Sequence, residues 1–257
     1  SLAQSGFDPL ARTTRFMLTE EAHHMFVGDS GINRVIKRTC EAMNLAGITD
    51  PFDTNAVRSL GVVDLPTLQK KANLHYSLSL DLFGSEISTN AANAYTNGLK
   101  GRYREDRIDD DHQLINDTYP VLKLIDGEVK TTQEPALTAL NMRLRDDYTR
   151  ETASGVNRWN KQIAKAGISY ELKLPEVMFN RKIGVFSGIE TTPEGEILSQ
   201  ENFTARKDEW LPSADDGAFV ASLMHPEVRP GHYAGWIAPP KMGIDNQSGD
   251  FEFVRIQ

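Results

Sequence analysis

The sequence predicts a mainly α-helical protein that ends in a largely irregular, short-stranded extension. Three observations lead there. Helix-period apolar patterning runs from Asp8 to about Met43. A second long helical stretch runs from Glu134 to Ala166, with Gly167 as its stop. Beyond it, Gly and Pro recur too closely for long elements, as in Pro226, Pro230, Gly231, Gly235, Pro239, Pro240 and Gly243. The expected division is therefore 1–166 as a helical body and 167–257 as an extension packed on it.

The elements follow in order. Asp8-Pro9 reads as an N-cap and a first-turn proline, so the first helix starts there. Asn44 to Thr54 carries turn signals, including Gly47 and Asp50-Pro51. A second helix starts at Asp64 as cap with Pro66 in its first turn, and stops at Gly84. Its interior is ambiguous, because Tyr76, Leu78, Leu80 and Leu82 alternate with polar residues at a strand period. The caps at both ends and the length favour helix. Ser85 to about Arg104 reads as another helix, and Arg104 to Asp117 as a charged surface loop. Val121 to Lys130 predicts a short hairpin turning at Asp126-Gly127. Gly155 is a candidate kink in the long helix. Ser169–Leu174 and Lys182–Phe186 are strand candidates.

The 257 residues suffice for a sizeable core. No apolar run approaches the roughly 20 residues that span a bilayer, so no membrane role is expected. Cys40 is the single cysteine. It rules out an internal disulfide and a cysteine-based zinc or iron–sulfur site, and fits a reducing cytoplasm. A net charge of −8 argues against nucleic acid as a partner. The chain lacks Gly-x-Ser-x-Gly, the P-loop, Gly-x-Gly-x-x-Gly and His-Glu-x-x-His.

The chemistry-bearing stretch is Leu18-Thr19-Glu20-Glu21-Ala22-His23-His24-Met25. A Glu and a His three apart on a helix share a face and can bind one divalent metal together. Di-iron carboxylate bundles use this spacing on two helices and add a Glu from each of two others. Two pairs overlap here, Glu20 with His23 and Glu21 with His24. At about 100° per residue, the face of Glu21 carries Leu10, Thr14, Met17, Leu18, His24, Met25, Gly28, Ile32, Val35 and Ile36. The face of Glu20 carries Arg34 and Arg38 and drifts toward solvent. A carboxylate inside an apolar stripe needs a partner, a proton or a metal. Glu21 and His24 are thus the preferred catalytic and metal-ligating pair. Gly28 and Gly31 either allow a close approach beside it or break the helix. Met17, Met25 and Thr14 are candidates to line a pocket, or simple core packing.

The run Glu20-Glu21-Ala22-His23-His24-Met25 resembles the second Glu-x-x-His helix of bacterial di-iron oxygenases. Residues 16–43, the stretch from His75 to Glu86 and the Gly- and Pro-rich ending resemble the oxygenase components of benzoyl-CoA 2,3-epoxidases, in their C-terminal half. The resemblance implies a ferritin-like helical bundle. It implies a di-iron centre that uses O2 to epoxidise the ring of benzoyl-CoA in aerobic benzoate breakdown. Electrons would come from NADPH through a separate flavin and iron–sulfur reductase. Glu21 and His24 match the ligand motif, and Glu20 would support them from behind. No second Glu-x-x-His occurs in this chain. The remaining ligands would lie in a missing N-terminal half of the same protein.

A CoA substrate carries phosphates that need Arg or Lys. Lys100, Arg102, Arg104 and Arg107 form one cationic run, and Arg34, Lys37 and Arg38 another. Two other readings stay open. One is a different ferritin-like di-iron enzyme, such as an acyl desaturase, an N-oxygenase or a radical-generating reductase subunit. The other is a helical scaffold in which Glu21 and His24 satisfy each other in the core.

Overall fold

The computed structural model describes residues 3, 5–90, 93, 117–229 and 232–241. Helix α1 spans Asp8–Ala46, α2 Thr54–Ser59 and α3 Leu65–Asp81. Strands β1 (Thr118–Ile125) and β2 (Glu128–Pro135) follow, then helix α4 (Leu140–Lys165). Two-residue strands β3 (Glu190–Thr191) and β4 (Ile197–Leu198) precede helices α5 (Gln200–Trp210) and α6 (Ala214–Leu223). The fold is mainly α, as expected.

Local signals explain most boundaries. Gly47, at φ +69°, ends α1, and Ile48 N–H reaches back to the Met43 carbonyl at 2.9 Å. Asp64 caps α3 by accepting the Thr67 N–H at 2.8 Å. Asp126 and Gly127 both have positive φ, the signature of the tight turn that suits the twist of a two-residue hairpin. Their hairpin pairs Ile125 with Glu128 and runs out to Thr118 opposite Pro135. Ser213 and Asp216 close a reciprocal capping box at the start of α6.

The chain divides into two compact units. Val27–His75, Ala153–Leu174 and Gln200–Gln257 form one. Its core joins Ile36, Cys40 and Met43 of α1, Val57 of α2, Leu65 of α3 and Val156 and Ile163 of α4. Burying each such side chain contributes about 1.5–3 kcal/mol. Ser1–Phe26, Tyr76–Thr152 and Pro175–Ser199 form the other unit. There Val121, Ala139 and Met142 pack together beneath Tyr119 and Leu122. Tyr119 also donates to Asp146 at 2.8 Å.

Several expectations are corrected. The helix expected from Ser85 does not start there: residues 84–89 are irregular, and Glu86 is drawn into the interior by Arg145. The remainder of that helix, and the loop expected up to Asp117, lie outside the described residues except for Asn90 and Asn93, both helical, and Asp117 itself. The long helix begins at Leu140, not Glu134, because residues 128–135 pair as a strand. Ser169–Leu174 is not a strand. Its backbone is held by side-chain amides: Asn160 takes both the N–H and the carbonyl of Leu172 at 2.8 Å, and Gln69 bonds the N–H of Lys173 at 2.8 Å and its carbonyl at 2.7 Å. Lys182–Phe186 is not a strand either. Asp81 accepts from Lys182 N–H and Glu86 from Val185 N–H, leaving no ladder to join. The extension holds two helices, α5 and α6, that the glycine and proline punctuation concealed.

Candidate metal centre and the surfaces around it

Helix α1 carries Glu21 and His24 on consecutive turns. Glu21 Oε2 lies 3.6 Å from His24 Nδ1, too far for a hydrogen bond. Their side chains are 57% and 66% exposed. The pair is therefore brought together as the spacing predicts, but not inside a core. The reading in which they satisfy each other in the interior does not describe this arrangement. Glu20 and His23 are exposed as well, with the His23 and His24 rings 6.5 Å apart.

The surrounding stripe behaves differently along the helix. Val35 and Ile36 are buried, as the apolar pattern predicts. Leu10, Met17, Leu18 and Met25 on the same face are exposed, and so are Phe16, Phe26 and Val27 around them. A helix that is apolar on all sides is ordinarily a buried one. Met17 and Met25 are thus not core packing within this chain. The Thr14 hydroxyl bonds the Leu10 carbonyl at 2.8 Å. Gly28 and Gly31 neither break the helix nor admit a close neighbour: a Cβ built on either would meet nothing within 4 Å.

The pair fits part of a metal site. A carboxylate and an imidazole one turn apart form half of a carboxylate–histidine ligand set. Among the described residues no group of three or more His, Cys, Asp or Glu converges. The other ligands are not supplied there.

The cationic candidates divide. Arg34 Nε donates to the Ala238 carbonyl and Arg38 Nε to that of Gly235, both at 2.7 Å. Burial lowers the Arg34 pKa despite an opposing contribution from Tyr233. These two arginines pin the segment 235–238. Lys37 pairs with Glu41 at 3.6 Å. Lys100, Arg102, Arg104 and Arg107 lie outside the described residues.

Sequence reading missed a groove of about 350 Å³ lined by Asp29, Asn33, Arg158, Lys161 and Lys165 among others. The i, i+3, i+7 spacing of the three cations on α4 was the available signal. Their meeting with Asp29 of α1 is a tertiary fact. Cys40 is fully buried, and burial pushes its thiol up to about 11, with Glu41 adding to the rise and a backbone contact opposing it. A thiol held protonated is no nucleophile.

Among the described residues no helix is long and apolar enough to cross a membrane. No family model matches the chain. Over 256 residues it is 52% identical to the benzoyl-CoA oxygenase component B of Aromatoleum evansii. The match takes in 100% of this chain and 54% of the relative, so the chain spans about half the length of that protein. This relative matches the resemblance carried by residues 16–43 and 75–86.

Proposed function

We propose that the chain is the C-terminal part of the oxygenase component of a cytoplasmic, two-component monooxygenase that epoxidises the aromatic ring of benzoyl-CoA. In this reading Glu21 and His24 are two ligands of a di-iron centre in a ferritin-like bundle. The observation that carries it is the uncovered first half of α1. An exposed Glu–His couple sits there among exposed Phe16, Met17, Leu18, Met25 and Phe26. Such a face needs a cover, and the 52% identical relative is nearly twice as long as this chain. The cover would be the missing N-terminal half, which would also bring a second Glu-x-x-His and two further Glu.

When bound, the iron pair would supply O2 activation. The chain's own share is separate. Glu21 offers an anionic oxygen ligand and His24 a neutral nitrogen ligand from one rigid helix. Met17, Met25 and Phe16 would exclude water around the ring once covered. The name "component B" of the relative supports a separate partner component. We take that partner to be an NADPH-dependent flavin and iron–sulfur reductase.

The test is iron per polypeptide in the natural full-length protein, measured beside His24→Ala. About two irons in the parent and clear loss in the variant are expected. Equal iron in both would remove His24 and turn attention to His23. No iron in either after anaerobic loading with ferrous salt would sink the reading.

A further inference from the structure

We infer that Tyr119 and Asp146 form a redox-active site, in which the phenol gives one electron to a high-potential oxidant while its proton moves to the carboxylate. This rests on the oxygenase reading above for the source of the oxidant: O2 activation that outruns its substrate leaves oxidising equivalents to be discharged. The site itself stands on geometry. Tyr119 lies on β1, with its ring packed against Val121, Ala139 and Met142. Its hydroxyl leaves that apolar contact and donates to Asp146 Oδ2 of α4 at 2.8 Å. A phenylalanine would fill the same position, so packing alone does not call for the phenol.

Oxidising a phenol has one strict requirement. A ring that has lost an electron is a strong acid, so a base must stand within hydrogen-bond reach before the electron leaves. Asp146 meets that requirement, and the transfer balances within the pair. The Tyr119 O–H bond breaks, an O–H bond forms on Asp146 Oδ2, and the single electron passes to the oxidant. One electron from a thiol reductant then draws the proton back to Tyr119. The surroundings favour this direction. Burial, the bond to Asp146 and the charges of Asp146 and Asp147 push the phenol up to about 12, with Arg150 opposing them. At neutral pH the hydroxyl therefore keeps its proton until the electron leaves. Arg150 is itself paired with Asp147, and Glu134, across the hairpin from Tyr119, is held by Lys123. Negative charge beside the ring favours its electron-poor state. Tyr76 marks the contrast: its hydroxyl is shared with Thr149 at 3.0 Å, and its ring lies against Tyr148. A neutral hydroxyl is no resting place for a proton.

The test uses the full-length protein as isolated, with a ruthenium tris-bipyridine photo-oxidant and a sacrificial electron acceptor. Tyrosyl radical is read by electron paramagnetic resonance after a flash in the parent, Tyr119→Phe, Asp146→Asn and Tyr148→Phe. The chain holds seven tyrosines, so the variants decide which ring carries the radical. The parent is expected to give a persistent radical that Tyr119→Phe removes and Tyr148→Phe leaves in place. Asp146→Asn can still accept the hydrogen bond but not the proton. Radical formation there should slow about tenfold or more and come to depend on buffer concentration. Each change is close to isosteric, and circular dichroism checks the fold. An equal radical yield in Tyr119→Phe, or an equal rate of formation in Asp146→Asn, would overturn the site and leave the oxygenase reading intact. That reading fails separately, on the iron measurement above.

Discussion

Arg145 Nη1 donates to Glu86 Oε1 at 2.8 Å, and both side chains are only 1% exposed. Glu86 also accepts the Val185 N–H at 2.7 Å. Gly184, at φ +88°, lets the chain pass, since a Cβ there would lie 2.2 Å from Glu86 Oε2. Removing one member of a buried pair leaves the other charge uncompensated. Glu86→Gln should therefore destabilise the protein by about 3 kcal/mol or more. Gly184→Ala adds both a clash and an unfavourable backbone, and should cost about 2 kcal/mol or more. Urea unfolding of each variant checks both values. Wild-type stability in Glu86→Gln would show that the pair is dispensable.

Asp216 predicts an acid limit. Burial pushes its carboxyl upward, but the Ser213 backbone N–H, Arg58 and Lys70 outweigh that and hold it well below the usual carboxylate range. The folded pKa is thus depressed relative to about 3.9 in the unfolded chain. The resulting stabilisation is complete above that unfolded value and is lost as pH falls through the window beneath it. Unfolding free energy measured from pH 6 downward should fall in the parent. It should fall less steeply in Asp216→Asn, which starts lower. Parallel curves would remove Asp216 from the acid response.

Phe26 separates this chain from the whole protein. It is 67% exposed here, so Phe26→Asp should change the stability of the isolated chain by about 0.5 kcal/mol or less. In the full-length protein the same change would bury a charge beneath the proposed cover, and about 3 kcal/mol should be lost. Chemical denaturation of both forms measures the difference. Equal small effects would mean that nothing covers this part of α1.

Asn160 stands in for a neighbouring strand at Leu172, with its amide bonded to both main-chain groups. Asn160→Leu would leave both unsatisfied and should cost about 2 kcal/mol. Asn160→Asp keeps the acceptor but sets a carboxylate oxygen against the Leu172 carbonyl, and should cost as much or more. Hydrogen exchange at the Leu172 amide should quicken in Asn160→Leu. An unchanged rate there would assign the hold on this segment to Gln69.

Features with local causes were legible in the sequence. Asp64 and Pro66 announce α3, Asp126-Gly127 the hairpin, and Gly47 and Gly167 the helix ends, because each acts through its own backbone. Features made by distant partners were not. Glu86 looks like a first-turn helical acid until Arg145, 59 residues away, is in place. Ser169–Leu174 alternates like a strand, yet its bonding comes from Asn160 and Gln69. The Glu21–His24 couple was readable from helical spacing alone. The groove was not, because Asp29 meets Arg158 only when α1 and α4 pack. The apolar stripe on α1 carried a different message from the one expected. It marks burial in Val35 and Ile36, but an uncovered surface from Leu10 to Met25.

Cys40 supplies a clock for the core that encloses it. Its sulfur is sealed by side chains from several helices and remains a thiol at neutral pH. A thiol-specific reagent can reach it only during excursions that part those helices, and only the opened state has the ordinary acidity that permits attack. With no other cysteine in the chain, each label counts one such event. At reagent levels where attack outpaces reclosing, the labelling rate in native buffer thus becomes a direct count of how often this core breathes, legible by mass spectrometry on intact protein.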